Sequence, residues 1–427
     1  MRPIEADSLP RRGESVAPGT DSGRQGAKVP RRVLPTLVVS QFCGTSLWFA
    51  ANAVMPDLQR DWGLPATAAG SLSSAVQLGF VCGTLVFALL MLADRLRPTW
   101  LFCGCSLLGA LANAGIVLLD GAWWPLLALR FTVGFLLAGI YPVGMRIAAG
   151  WYREGLGAAL GVLIGALVLG TALPHGVRAL SGGELGGGAA LPWQALLLGV
   201  SALAALGGLA TLLLVPPNPD APSGAAIRLR GLAATWRDAR LRASVFGYFG
   251  HMWELYTLYV LLPLILATRL AGTAVSAGAF WAIAAGAVGC VAGGLLARRF
   301  GSARIAAFQL GASGACALAA PLLLGAPLPV FLAWLLLWGM TAAGDSPQFS
   351  ALTARNAPRA AMGSVLTLVN CVGFAITVFS IELFTRLAGV ASLASVLPWL
   401  AAGPALGLLM LRPLLRSAPA PSGPQAG

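Results

Sequence analysis

Charged side chains are scarce in the long apolar stretches of this chain, and the few present are the candidates for chemistry. Glu254 lies in the middle of one stretch, three residues after His251, so both side chains share a helix face. A carboxylate beside an imidazole can take up and release protons near neutral pH. The pair predicts a site for proton coupling or substrate binding. The alternative is a buried hydrogen-bonded pair that only fixes helix packing.

A polar stripe runs along the first apolar stretch. Gln41, Thr45, Trp48 and Asn52 recur at helical spacing, which places them on one face. Polar residues on one face of a membrane helix indicate a water-filled lining. We expect Gln41 and Asn52 to form hydrogen bonds with a substrate, and Trp48 to stack on it or exclude other solutes. The alternative is hydrogen bonding between helices, worth about 1 kcal/mol.

Arg130 is the basic residue that lies deep inside an apolar stretch. A charge at the centre of a membrane helix costs about 2.5–3.5 kcal/mol, so it faces a cavity or a partner. Three interpretations remain open. Arg130 binds a substrate carboxylate, pairs with an acid across a cavity, or forms an ion pair that holds its own part of the chain together.

Two further sites carry less information. Asp345 precedes Ser346-Pro347, where the proline frees backbone groups, so Asp345 and Pro347 predict a bent gate or, equally, a packing feature. Asn370 shares a helix face with Thr367 and Thr377 and predicts a second polar lining.

Composition places all of these residues in a membrane. The chain has 427 residues, of which 57% are hydrophobic and 10% charged, whereas soluble domains are about 25% charged. A membrane-spanning helix needs about 20 apolar residues. Twelve such segments are predicted, at residues 33–55, 66–92, 98–119, 123–148, 156–180, 191–215, 244–267, 273–297, 303–324, 328–350, 361–385 and 390–411.

Basic residues are distributed unevenly over the loops between these segments. The side that carries both termini holds 23 of them, and the opposite side holds four, namely Arg60, Arg178, Arg269 and Arg386. Because basic loops stay in the cytoplasm, both termini are predicted to be cytoplasmic. The net charge of +13 then belongs to these loops, and no nucleic-acid partner is expected.

The two halves of the chain resemble each other. Four anchors recur in order at separations of 204 to 207 residues, which indicates a duplicated six-helix unit. They are Phe42 and Pro56 with Phe249 and Pro263, Gly79 with Gly286, Asp94-Arg95 with Arg298-Arg299, and Tyr141-Pro142 with Ser346-Pro347.

A domain organisation follows from the spans and the duplication. We predict a disordered cytoplasmic tail at residues 1–32, a six-helix bundle at 33–215, a cytoplasmic central loop at 216–243, a second bundle at 244–412 and a cytoplasmic tail at 413–427.

Loop and span motifs make the chain resemble the major facilitator superfamily over residues 33–412. The loop signature of that family is matched by Leu92-Ala93-Asp94-Arg95, although Leu90 and Arg97 replace its two glycines. The second copy, from Gly294 to Gly301, keeps both glycines but has Arg298 in place of the acid. Arg130 and Gly134 match the family's signature in the fourth span.

The resemblance implies an all-α membrane protein of twelve transmembrane helices in two six-helix pseudo-repeats. It also implies that Asp94 and Arg95 gate the cytoplasmic side, that Arg130 serves coupling, and that the first, fourth, seventh and tenth helices line a central cavity. Alternatively, Asp94 and Arg95 are a loop pair that only sets topology.

These features predict a secondary active transporter for a small polar or anionic solute, driven by protons and working by alternating access. The alternatives are proton-coupled efflux of amphiphilic compounds and a membrane receptor or sensor with the same fold. No catalytic, nucleotide, cofactor or metal-binding motif is found. We expect a monomer in the inner membrane of a bacterium, since 27 arginines against one lysine suggest a GC-rich genome.

Overall fold

Helices account for the regular secondary structure in a computed structural model of the chain. The structure describes residues 29–152, 156–181, 191–217, 237–358 and 361–416, but not the side chains of residues 93–94 and 156–158. Within these ranges, ten segments are long and apolar enough to cross a membrane, and a shorter apolar helix precedes them. The predicted all-α membrane fold is confirmed. A count of twelve spans is consistent with these helices.

The described part of the first half of the chain, which precedes the central loop, contains ten α-helices and a short 3₁₀ turn at Ile116–Leu118. They are α1 (Val33–Thr45), α2 (Ala50–Ala53), α3 (Met55–Trp62), α4 (Ala68–Leu89), α5 (Leu92–Arg95), α6 (Pro98–Gly115), α7 (Trp123–Leu137), α8 (Tyr141–Trp151), α9 (Leu156–Ser181) and α10 (Trp193–Leu214).

Among the residues that the structure describes, the second half contains ten more α-helices and a short 3₁₀ turn at Leu397–Ala401. They are α11 (Ala239–Ala267), α12 (Thr273–Phe300), α13 (Ser302–Leu318), α14 (Ala320–Leu323), α15 (Leu328–Gly344), α16 (Ser346–Asn356), α17 (Met362–Val390), α18 (Leu393–Val396), α19 (Ala402–Met410) and α20 (Arg412–Arg416). The two halves meet where α4 packs on α17 and α9 packs on α12.

The first span is not the continuous helix that the polar stripe predicted. Helix α1 ends at Thr45, and the chain turns before α2 begins at Ala50. The hydroxyl of Ser46 donates a hydrogen bond to the carbonyl of Cys43 at 2.6 Å, and that of Thr45 donates to the carbonyl of Gln41 at 2.8 Å. Such bonds offer the backbone an alternative to the regular helix.

Two other spans break at equivalent places. Pro142 lies in the first turn of α8 and Pro347 in the first turn of α16, where a missing N–H is tolerated. Helix α8 covers 141–151 and α16 covers 346–356, so both ends differ by 205 residues. This match extends the predicted duplication from sequence to backbone shape.

Close approaches of backbone also recur in both halves. Where α4 crosses α7 and α12 crosses α15, a Cβ added to the crossing glycines would collide with a backbone carbonyl. The contact of Gly134 with the Val76 carbonyl in the first half is equivalent to that of Gly339 with the Ala282 carbonyl in the second. The contact of Gly83 with the Phe135 carbonyl is likewise equivalent to that of Gly289 with the Met340 carbonyl.

The predicted boundary of the central loop at residue 243 is too late. Helix α11 begins at Ala239 because the Asp238 side chain accepts hydrogen bonds from the backbone N–H groups of Arg240 and Leu241, at 2.7 and 2.9 Å. Burial of Leu241 secures this first turn. The rest of the central loop, 218–236, and the tails 1–28 and 417–427 lie outside the described residues.

Large apolar side chains cover much of the outer surface. Trp124, Leu213 and Phe308 are 77%, 75% and 71% exposed. Exposure of many such residues suits a surface that faces lipid rather than water.

Candidate cavity between the two halves

A cavity of about 610 Å³ lies between the two halves. Its polar lining from the first half comprises Asn52, Asp57, Gln59, His175 and Arg178, and its lining from the second half includes Val260, Leu261, Leu264, Ser276 and Thr385. Arg60, whose side chain is 68% exposed, marks the mouth. The cavity therefore opens at the end that the count of basic residues predicts to be non-cytoplasmic.

Four aromatic rings form an aromatic layer, Trp48, Phe80, Tyr256 and Phe374, below the cavity. The centroid of the Trp48 ring lies 5.0 Å from that of Phe80, 5.6 Å from Tyr256 and 5.7 Å from Phe374. The last two contacts join the first half to the second. Because Trp48 lies about one turn before Asn52, and Tyr256 one turn before Val260, the layer closes the cavity on its inner side.

Asn52 has a defined orientation in the cavity wall. The Ser73 hydroxyl donates to the carbonyl of Ala69 at 2.8 Å, so Asn52 Nδ2 donates to Ser73 Oγ, also at 2.8 Å. The other end of the amide, Oδ1, is buried and has no hydrogen-bond partner in the described part of the chain. A free acceptor therefore belongs to a residue that lines the cavity, and the hydrogen bond from Asn52 to a substrate stays a prediction.

His175 is a lining residue that the sequence analysis missed. It is 2% exposed on α9, and its Nε2 has no hydrogen-bond partner among the described residues. The available signal was its rarity, since the chain has two histidines and this one follows Pro174 inside an apolar stretch.

Charges at the mouth of the cavity are paired with one another. The Asp57 carboxylate contacts Arg60 at 2.8 Å and Arg178 at 2.5 Å, and Arg60 contacts Asp61 at 3.0 Å. The hydrogen bond from Arg60 to Asp57, followed by that to Asp61, raises the pKa of the Arg60 guanidinium. Two carboxylates thus balance two guanidinium groups.

Arg130 lies inside the first half rather than in the cavity. It is fully buried, and it donates to the carbonyls of Leu47 at 3.2 Å and Trp48 at 2.5 Å and to Asn113 Oδ1 at 3.3 Å. Of the three interpretations, the one that holds its own half together has the matching position, although its partners are backbone and amide oxygens instead of an acid. These bonds satisfy carbonyls that the break after α1 leaves free.

His251 and Glu254 have different partners, contrary to the predicted pairing. His251 Nδ1 lies 2.7 Å from Asp345 Oδ1, at the junction of α15 and α16. Glu254 accepts hydrogen bonds from Ser313 Oγ at 2.8 Å and from Trp338 Nε1 at 2.6 Å. Sharing a helix face did not bring the two side chains together because each found a closer partner on another helix.

The remaining predicted site residues are spread over the fold. Gln41 is buried beside Gly144 of α8, and its amide has no hydrogen-bond partner in the described structure. Asn370 is half-buried on α17, and Arg95 is exposed. The side chain of Asp94 lies outside the described residues. Hence Asn52 lines the cavity and Trp48 belongs to the aromatic layer, whereas Gln41, Arg130, His251 and Glu254 lie elsewhere.

Comparisons with known proteins place this architecture. The chain is similar to a bacterial homologue of the human lysosomal transporter Spinster, with 16% identity, a TM-score of 0.66 and coverage of 91% of this chain and 98% of that one. It is also similar to the nucleoside transporter NupG (15%, 0.66, 90% and 100%) and to the human organic anion transporter MFSD10 (17%, 0.66, 89% and 99%). No curated protein sequence matches the chain.

Because the sequence identities are low, these likenesses show the fold alone. The family model named Major Facilitator Superfamily matches residues 37–381, which is most of the chain. The chain therefore belongs to the major facilitator superfamily.

Proposed function

We propose that this protein is a secondary active transporter that moves a small polar or anionic solute across the membrane by alternating access, coupled to protons. The main support is the cavity, which is lined by both halves, opens at one end and is closed at the other by the aromatic layer. Transport then requires the layer to part while the mouth closes.

Proton coupling is assigned to His251 and Asp345. Both side chains are buried, at 1% and 0% exposure, and they form an ion pair only when the imidazole is protonated. Loss of one proton leaves a buried charge without its partner, which is costly in a low-dielectric interior. Because Asp345 joins α15 to α16, a change of protonation would act directly on a break in a span.

The variants Asp345→Asn and Glu254→Gln distinguish proton coupling by the His251–Asp345 pair from proton coupling by Glu254, the acid that the sequence favoured. In proteoliposomes with an imposed pH gradient, we expect Asp345→Asn to abolish accumulation against a gradient while solute exchange persists. The solute is the best hit of a thermal-shift screen against metabolites. If Glu254→Gln leaves accumulation unchanged, Glu254 has no coupling role. Normal accumulation by Asp345→Asn would remove the coupling role of the pair.

Efflux of amphiphilic compounds is the second candidate, and the apolar wall formed by Val260, Leu261 and Leu264 favours it. Its test is proton-dependent export of toxic amphiphiles from cells. A receptor or sensor with this fold would show ligand binding without flux of the ligand.

The remaining expectations belong to the same proposal. We propose a monomer in a bacterial inner membrane, with both termini in the cytoplasm and no catalytic activity. The 23-to-4 distribution of basic residues supports the orientation.

A further inference from the structure

The two walls of the cavity differ in chemistry. The wall from the first half carries Asn52 and His175, and the deeper part of the wall from the second half is made of Val260, Leu261 and Leu264. The hydroxyl groups of the second half, on Thr273, Ser276 and Thr385, come from parts of α12 and α17 near the mouth.

Asn52 and His175 both line the cavity, and each follows a contact between α1 and α9 by a similar number of residues. Thr45 Oγ lies 3.3 Å from the carbonyl oxygen of Leu167, where α1 packs on α9, and both helices run in the same direction from there. Asn52 follows Thr45 by seven residues, and His175 follows Leu167 by eight. Helices α2 and α9 are also in contact.

Both side chains carry a buried polar atom that has no hydrogen-bond partner among the described residues. Asn52 is 6% exposed and His175 is 2% exposed, and neither Asn52 Oδ1 nor His175 Nε2 forms a hydrogen bond within the described structure. A buried polar atom without a partner is costly, so two of them in one cavity wall indicate a ligand that supplies the missing bonds.

The missing bonds define the ligand group. Asn52 Oδ1 is a carbonyl oxygen and therefore only accepts, and the bond from Nδ2 to Ser73 fixes which end of the amide is the oxygen. His175 has no carboxylate partner in the described ranges and offers either a donor or an acceptor, depending on its tautomer. A hydroxyl group satisfies both atoms at once, because it donates one hydrogen bond and accepts others.

Charged groups fit this position less well. A carboxylate is an acceptor and would face the Asn52 oxygen without a bond. An ammonium group would need an acid, but the nearby Asp57 is already paired with Arg60 and Arg178. An isolated buried charge is costly.

We propose that the cavity selects uncharged amphiphilic molecules whose hydroxyl group binds between Asn52 and His175 and whose apolar body lies against α11. This rests on the proposed transport function, but it excludes anionic solutes from the substrate class and keeps polar solutes that are neutral and carry an apolar portion.

The test uses three matched probes: naphthylethanol, its methyl ether and naphthylacetate. Binding to the full chain in nanodiscs is measured by equilibrium dialysis, with empty nanodiscs to subtract partition into lipid. We expect naphthylethanol to bind about tenfold or more tightly than either of the others, since each lacks the donor. Equal or tighter binding of naphthylacetate, or no binding above that of empty nanodiscs, overturns the proposal.

Variants locate the site. Asn52→Leu removes the acceptor and should weaken naphthylethanol binding about tenfold, to the level of the ether. Thr132→Val, which removes an exposed hydroxyl on α7 far from the cavity lining, should leave it unchanged. Asn52→Asp should shift the preference toward the cation naphthylethylamine, which keeps the test decisive if Asn52→Leu fails to fold. Identical affinities in all variants contradict the proposal.

The binding proposal and the transport proposal are tested separately in this design. If the chain binds the probes in the expected order but shows no solute flux in proteoliposomes, the binding site is supported and the proposed transport function is rejected. A chain that shows flux but prefers the carboxylate retains the function and loses the site.

Discussion

At the scale of single residues, the buried charges divide between the two halves. Arg130 has its hydrogen-bond partners in the first half, and Glu254, His251 and Asp345 have theirs in the second. None of the four points toward lipid, as the cost of a charge in a bilayer predicts. Each half thus contains its own polar centre, away from the cavity between them.

The hydrogen-bond partners of these residues could not be predicted from the sequence. Spacing showed that His251 and Glu254 share a helix face, but Ser313 and Trp338 lie 59 and 84 residues from Glu254. Only the packing of distant helices decides such contacts. Asn52 lines the cavity although the polar stripe is interrupted between Thr45 and Ala50, so helical spacing alone did not decide which of its members do so.

Arg130→Met should destabilise the fold strongly. It leaves the carbonyls of Leu47 and Trp48 and the amide of Asn113 without their donor, at about 1–3 kcal/mol for each buried group. The measurement is the midpoint of thermal unfolding in detergent. Arg386→Met is the control, because its side chain is 74% exposed and its pair with Glu382 contributes about 0–1 kcal/mol. Equal shifts in the two variants would contradict the role of Arg130.

At the scale of helices, spans are interrupted where the site is assembled. The break between α1 and α2 separates Gln41 from Asn52, and the breaks before α8 and α16 follow the same pattern in both halves. Apolar length predicted where the spans lie because it sums over about 20 residues. The same averaging hides breaks of one to four residues, although Pro142 and Pro347 signalled two of them.

Gly289 and Gly294 offer a matched test of close packing on one helix, α12. A Cβ at Gly289 would collide with the carbonyl of Met340, whereas one at Gly294 meets nothing within 4 Å. Gly289→Ala should lower stability and transport because backbone cannot move aside without parting α12 from α15. Gly294→Ala should be neutral or stabilise by up to about 1 kcal/mol, since alanine favours a helix. The measurement is the midpoint of thermal unfolding of each variant, and an unchanged midpoint for Gly289→Ala would contradict the packing argument.

At the scale of the whole molecule, two similar halves enclose one asymmetric cavity. The duplication was visible in the sequence because prolines and glycines mark backbone geometry, which both copies retain. The chemical difference between the walls was not visible, since it depends on which faces of α9 and α11 meet across the interface.

Thiol labelling tests the direction in which the cavity opens. In a background with the seven native cysteines replaced, a membrane-impermeant reagent should modify Ser276→Cys in intact cells, because Ser276 lines the cavity. Arg416→Cys, at the end near the C-terminus, should react only in inside-out vesicles. The reverse pattern would place the termini outside, and reaction of both from one side would contradict a cavity that opens away from the termini.

Trp48 takes part both in the hydrogen bonds of Arg130 and in the aromatic layer. Its carbonyl is bound by Arg130 in the first half, and its indole ring stacks on Tyr256 and Phe374 in the second. A rotation of α11 that carries Tyr256 away therefore pulls on the same residue that anchors α7. Because Trp48 connects the two sets of contacts, removal of the Arg130 side chain and removal of the Trp48 ring should have non-additive effects on the free-energy difference between the open and closed forms.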